Sequence, residues 1–267
     1  MIKTEITEMF GVKYPIICGA MMWLCKPPFC AAISNAGAIG DITAANYETE
    51  ETFRAAIHET RSLTDKAFTV SVTILPSLRI TGEHYKMYLR VCAEEQVKAV
   101  VVSGAPIDRA CGIEYVEMLN KAGVKLFHKV GSVRHARHAE SVGYDGIFAA
   151  GIEEGGHPLN DDVTTMVLTP RIVEEINLPV VTVGGIANGK TMAAALMLGA
   201  QGVMMATRFL TVKECNIHDN LKKKLIDSQE NDTTLICKSI GLQAQALKNR
   251  NVLEVLDLEA KGASLEE

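Results

Sequence analysis

The segment 180–210, VVTVGGIANGKTMAAALMLGAQGVMMATRFL, restricts the fold more than any other part of the chain. Val180–Val183 and Gly202–Met205 are short apolar runs without alternation, the pattern of strands covered on both faces. Gly184-Gly185 and Ala206-Thr207 stand where these strands end. Small residues there let backbone N–H groups approach an anion at the start of the next helix. Two such turns, one helix apart, match the phosphate site that follows strands 7 and 8 of a (β/α)8 barrel. In isolation, two ordinary strand–helix turns of another α/β protein would read the same way.

Strand-like and helix-like segments alternate along the rest of the chain. Strands are expected at Tyr14–Gly19, Ile39–Ile42, Phe68–Leu75, Lys98–Ser103, Val124–Val130 and Gly146–Ala150. Helices are expected at Pro28–Asn35, Glu50–Leu63, His84–Gln96, Gly112–Ala122 and Ser132–Ser141. A long loop, Gly151–Thr169, precedes a helix from Pro170 to Ile176, because Pro suits a first helical turn. Glu214–Ile226 is expected to be the last barrel helix. Eight strands separated by helices favour a closed parallel (β/α)8 TIM barrel. An open doubly wound sheet is the alternative, but the turn after the first strand, Gly19-Ala20-Met21-Met22-Trp23, lacks a Gly-x-Gly-x-x-Gly pattern. The 267 residues fit one barrel domain, 1–267, with Asp227–Glu267 read as a helical extension.

Net charge is −5 and no block of Lys or Arg stands out, which argues against nucleic acid or an anionic membrane as partner. No stretch approaches the roughly 18 apolar residues of a membrane helix, and the first residues, MIKTEITEMF, resemble neither a signal peptide nor an anchor. Seven cysteines without a Cys-x-x-Cys pair suit a reduced, cytoplasmic setting better than disulfides or structural zinc.

In a barrel, chemistry belongs at the C-terminal ends of the strands. Those ends carry Gly19, Ala20 and Met21; Ser71; Lys129; Gly155, Gly156 and His157; Gly184 and Gly185; Ala206 and Thr207. His157 follows two glycines and precedes Pro158, so its loop can pass close to a ligand while Pro158 holds it extended. An imidazole fixed there can donate a hydrogen bond or move a proton near neutral pH; a surface-loop histidine is the competing explanation. Lys129 closes an otherwise apolar strand and can neutralise an electron-rich ring, form a Schiff base or snorkel to solvent. Met21, Met22 and Trp23 offer a soft apolar wall for a flat ring, although core filling explains them equally. The other histidines read as structural, and the pair His135 and His138 lacks further metal ligands.

These residues resemble the nitronate monooxygenase (2-nitropropane dioxygenase-like) family of FMN-dependent barrels, which includes flavin-dependent enoyl-ACP reductases and NADH:quinone reductases. The matching motifs are YPIICGAM at 14–21, AAISNAGAIG at 31–40, VVVSGAP at 100–106, HKVGSVRHA at 128–136, GIEEGGHPLNDDVTT at 151–165 and the 182–210 segment. The resemblance implies FMN as cofactor. Gly19, Ala20, Met21 and Ser71 would meet the isoalloxazine ring, and Lys129 its N1/C2 edge. Gly155, Gly156, Gly184, Gly185, Ala206 and Thr207 would surround the phosphate, and His157 would face the substrate. Three departures stand out: Ser71 where relatives often carry Asn, Ala206 where a Gly is usual, which needs a negative φ, and Leu159 after His-Pro. Glu154 would repel the phosphate unless its carboxylate turns away.

The resemblance implies oxidation of alkyl nitronates with O2. The alternative within the family is an NAD(P)H-dependent reductase of an enoyl thioester or quinone; a non-redox phosphate-binding lyase or isomerase is the alternative outside it. Expected partners are a small-molecule substrate, NAD(P)H in the reductase case, and a second copy of the chain in a homodimer.

Overall fold

In the computed structural model, residues 2–77 and 79–264 are described. Eight parallel strands run β1 (Ile16–Cys18), β2 (Gly40–Thr43), β3 (Phe68–Ile74), β4 (Ala99–Gly104), β5 (Lys125–Val130), β6 (Gly146–Ala150), β7 (Val180–Val183) and β8 (Gly202–Met205). Neighbours pair in sequence order from β2 to β8, and β8 pairs with β1. Closure comes through Ile39, which bridges Ile17 just before β2 begins; Cys18 N–H donates to Ile39 C=O at 2.9 Å. The result is the (β/α)8 barrel expected from the alternating pattern, with helices between the strands.

The barrel interior is layered. Its lower part is apolar: Ile17, Ile39, Val101, Phe127, Phe148, Val181 and Met204 meet there, with Phe127 and Phe148 edge-to-face at 5.4 Å. A short helix, Glu5–Phe10, closes this end by adding Ile6 and Phe10 to the cluster. No element is expected there from the pattern above; the Thr4 cap, accepting from Thr7 N–H, is the local signal for it. A second apolar layer lies between the strands and the outer helices, which explains why the strands read as apolar runs without alternation.

Three expectations need correction. The helix expected to start at Pro170 runs over Thr165–Glu175, with Pro170 inside it. Its start is stabilised by the Glu153 carboxylate, which accepts from Thr165 N–H and Oγ1, each at 2.9 Å. The helix expected over Glu214–Ile226 runs over Asp219–Asp227 with no residue buried, and His218 is its cap, accepting from Asn220 N–H; a separate short turn of helix, Thr207–Leu210, follows β8. The extension 227–267, expected to be helical, holds an antiparallel hairpin, β9 (Thr233–Ile236) and β10 (Ala244–Leu247), before a helix at Arg250–Ala260; its last three residues lie outside those described. The hairpin forms because β10 has partners on both sides, β9 and Gly156.

Candidate active site

The C-terminal mouth of the barrel gathers most of the residues singled out above. A Cβ built on Gly19 would lie 3.2 Å from the Ala206 Cβ, so the end of β1 abuts the turn after β8. A Cβ on Gly155 would lie 3.4 Å from Thr207 Oγ1, and one on Gly184 only 2.9 Å from Glu154 N. The turns after β6, β7 and β8 therefore converge with little but backbone between them. Gly184 (φ 103°) and Gly185 (φ 71°) take left-handed conformations that a larger residue adopts only with strain. Ala206 sits at φ −126°, which meets the condition its Cβ imposes.

Lys129 projects from β5 into this mouth. Its ammonium lies 2.7 Å from Glu154 Oε1, and both side chains are largely buried, 11 % and 13 % exposed. Glu154 thus turns toward a cation, and the charge of Lys129 is compensated from the protein itself. The second carboxylate oxygen, Glu154 Oε2, is buried with no hydrogen-bond partner among the described residues. A buried acceptor left open is costly, about 1–3 kcal/mol, so this oxygen faces a place for a donor. His157 stands at the rim with its side chain exposed, yet crowding by its neighbours and then the Lys129 ammonium hold its imidazole below the ordinary histidine range, against a smaller opposing effect of Glu154. Its neutral form therefore prevails at pH 7.

Ser71 is fully within the barrel. Its hydroxyl donates to Asp41 Oδ1 at 2.8 Å, as does that of Thr69. Asp41 was not among the residues expected in the site, although a lone acid in the apolar stretch AGAIGDIT was a visible signal. Burial drives its carboxyl up to about 8, against the pull of its hydroxyl partners, so it carries a proton at neutral pH. Its Oδ2 and Thr43 Oγ1 are buried and unpartnered among the described residues.

The apolar wall expected from Met21, Met22 and Trp23 forms only in part. Met21 packs on the cluster around Cys18 and Cys25, whereas Met22 and Trp23 are half exposed. Trp23 turns outward at φ 69°, with the Arg79 guanidinium 4.8 Å from its ring. His135 and His138 bond to Ser132 and Asp108, as structural histidines would, and no group of three His, Cys, Asp or Glu suited to a metal ion occurs among the described residues. No helix among them is long and apolar enough to cross a membrane.

The glycine turns after β6 and β7 meet the Ala206-Thr207 turn, space is open around Gly156 (nothing lies within 4 Å of a Cβ built there), and the Lys129–Glu154 pair, with one carboxylate oxygen unpartnered among the described residues, sits beside them. The family model for nitronate monooxygenase matches residues 3–267. A probable nitronate monooxygenase of Staphylococcus aureus (strain JH9) is 31 % identical over 292 residues, covering 96 % of this chain and 81 % of that protein. The (3aS,4S,5R,7aS)-5-hydroxy-7a-methyl-1-oxo-octahydro-1H-indene-4-carboxyl-CoA dehydrogenase of Rhodococcus jostii (strain RHA1) is 32 % identical over 246 residues; the chain spans just 66 % of its length, against 92 % of its own. Among solved structures, FabK from Thermotoga maritima superimposes with a TM-score of 0.88 at 32 % identity, over 98 % of this chain and 79 % of that one. The chain belongs to the nitronate monooxygenase family of oxidoreductases.

Proposed function

We propose that the protein is an FMN-dependent oxidoreductase that oxidises alkyl nitronates with O2. The observation that carries this reading is the convergence of Gly155-Gly156, Gly184-Gly185 and Ala206-Thr207 beside the Lys129–Glu154 pair, under a rim histidine. Backbone N–H groups of these turns would hold the FMN phosphate, since the glycines let the backbone come close to an anion. Gly19, Ala20 and Met21 would flank the ring, with Ser71 fixed beneath it by Asp41. FMN, when bound, supplies the electron-accepting ring on which the redox chemistry depends.

The protein's own residues then have distinct tasks. Neutral His157 can accept the α-proton of a nitroalkane, breaking the C–H bond and leaving the pair of electrons on the nitronate. Lys129 would lie along the edge of the ring where negative charge collects on reduction, with Glu154 setting how much of its charge is felt there. The seven free cysteines support a reducing, cytoplasmic setting.

Flavin absorption of the purified protein is the first test; a colourless protein that cannot be reconstituted with FMN overturns the cofactor. Anaerobic stopped-flow mixing with a preformed nitronate, NADH and NADPH then separates the chemistries. Rapid bleaching by the nitronate alone is expected. Rapid bleaching by NADH or NADPH, with none by nitronate, would replace this reading with the enoyl thioester or quinone reductase.

A further inference from the structure

His157 is flanked on both sides by contacts to the C-terminal hairpin. Gly156 and Gln245 exchange backbone hydrogen bonds, Gln245 N–H to Gly156 C=O at 2.6 Å and Gly156 N–H to Gln245 C=O at 3.3 Å. This reciprocal pair defines an antiparallel register. Continued by one and two residues, this register would set His157 opposite Ala244 and Pro158 opposite Gln243. Pro158 has no N–H, so the ladder cannot continue through its backbone. The Gln243 side chain takes over: its amide donates to Leu159 C=O at 2.8 Å and reaches Pro158 C=O at 3.5 Å. Gln243 is 2 % exposed, and a buried amide is ordinarily retained only where its donors are used. Further along, Lys238 pairs with Asp162 at 2.6 Å.

The hairpin is anchored from its other side as well. Four residue pairs join β10 to β9, and Glu259 of the helix Arg250–Ala260 accepts from Cys237 N–H at 2.8 Å and Ser239 N–H at 3.0 Å. The loop, with two glycines before its histidine, is thereby held to β10 by one antiparallel bridge and the Gln243 amide.

We propose that β10 is a splint for the rim loop, with Gln243 the positioning residue that orients the His157 imidazole and Ala244 the residue that leaves space beside it. Directly opposed residues of an antiparallel pair share a face, so the Ala244 methyl lies on the imidazole's side of the ribbon. A larger side chain there would compete with the imidazole and with any substrate it meets. The assignment rests on His157 acting on substrate, as proposed above.

The test uses the full-length flavin-loaded enzyme and two variants. Gln243→Met keeps the volume and removes the donor. Amide exchange at residues 156–162 should become about fivefold faster, the factor of roughly one net hydrogen bond. The pKa of His157, followed by NMR, should move up toward its ordinary value, and kcat should fall while KM and FMN content hold. Gln243→Asn, which restores a donor, should recover part of the slow exchange. Ala244→Val keeps a strand-forming residue and should lower kcat/KM for branched nitronates more than for small ones, with Gly156 exchange unchanged. Wild-type exchange and an unshifted His157 pKa in Gln243→Met overturn the splint. A Gln243→Met chain that does not fold hands the decision to Ala244→Val, whose unaltered substrate preference overturns the proposal. Should His157→Ala leave turnover unchanged, the catalytic reading fails, while the exchange data still report on the splint.

Discussion

Replacing Asp41 with Asn should change the pH dependence of stability more than any other single substitution in the barrel interior. In the native protein the Asp41 carboxyl titrates near 8, whereas in the unfolded chain it takes its ordinary value of 3.8. Between these values the native state binds one proton more than the unfolded state, so stability falls as pH rises, by about 1.4 kcal/mol per unit. His128 opposes this over part of the range. It is buried, with its Nδ1 unpartnered among the described residues, and burial holds it at about 4 against 6.5 when unfolded. From pH 4 to 6.5 the unfolded state therefore binds the extra proton at this site, and stability rises with pH by a similar slope. The two contributions cancel in that interval. Above pH 6.5 only Asp41 remains, and integrating its slope to pH 8 gives a loss of about 1.5 kcal/mol. Asn retains the acceptor for the Thr69 and Ser71 hydroxyls, each 2.8 Å away, and offers an N–H on the side of the carboxyl oxygen that, like Thr43 Oγ1, is unpartnered among the described residues. Asp41→Asn should lose the downward slope above pH 6.5 and show the upward His128 slope below it. Urea unfolding followed by far-UV circular dichroism, at half-unit steps from pH 5 to 8, measures this; the single tryptophan, Trp23, is too exposed to report on the core. Parallel stability curves for the two proteins above pH 6.5 would show that Asp41 is not the protonated group.

Gly185→Asp should abolish FMN retention while the barrel still folds. A Cβ there has space, with its nearest neighbour 3.6 Å away, but φ is 71° and the added charge faces the phosphate turn; unchanged flavin content after dialysis would reject the placement. Glu154→Gln should raise the flavin reduction potential by uncovering Lys129, and Lys129→Met should lower it. Identical potentials in spectroelectrochemical titration would put the pair outside the ring's reach. Glu153→Ala removes both bonds that start the helix Thr165–Glu175 and should cost about 1–2 kcal/mol in urea unfolding; a change within error would make the cap dispensable. His157→Ala should keep FMN and lower turnover of a neutral nitroalkane by about 10²–10⁴-fold, with a preformed nitronate affected less. Equal losses on both substrates, measured as oxygen uptake, would remove its role as base.

Much of the architecture follows from local pattern. The parallel strands are legible because each is covered on both faces, and the apolar runs of β6, β7 and β8 stand out in the sequence at their observed limits. The helix Glu50–Leu63 is legible because its cap is local: Thr49 accepts from Thr52 N–H, three residues away. Gly19, Lys129 and the turns after β6, β7 and β8 lie at the mouth because a barrel sends every strand's C-terminus to one side, whereas Ser71, expected at a strand end, lies in the middle of β3. Other features depend on groups distant in sequence. Pro170 lies within its helix because Glu153, twelve residues before Thr165, caps the helix from the far end of the loop that precedes it. The hairpin of the extension exists because Gly156 completes β10 from 89 residues away, a pairing that no propensity of Ala244–Leu247 announces. Lys129 and Glu154 are each visible as charged residues, but which charge answers which is decided by the turn that brings β5 and the rim loop within 2.7 Å. Asp41 shows the division most sharply. Its position in an apolar strand is plain from the sequence, whereas its proton is held by exclusion of water, which only the closed barrel supplies.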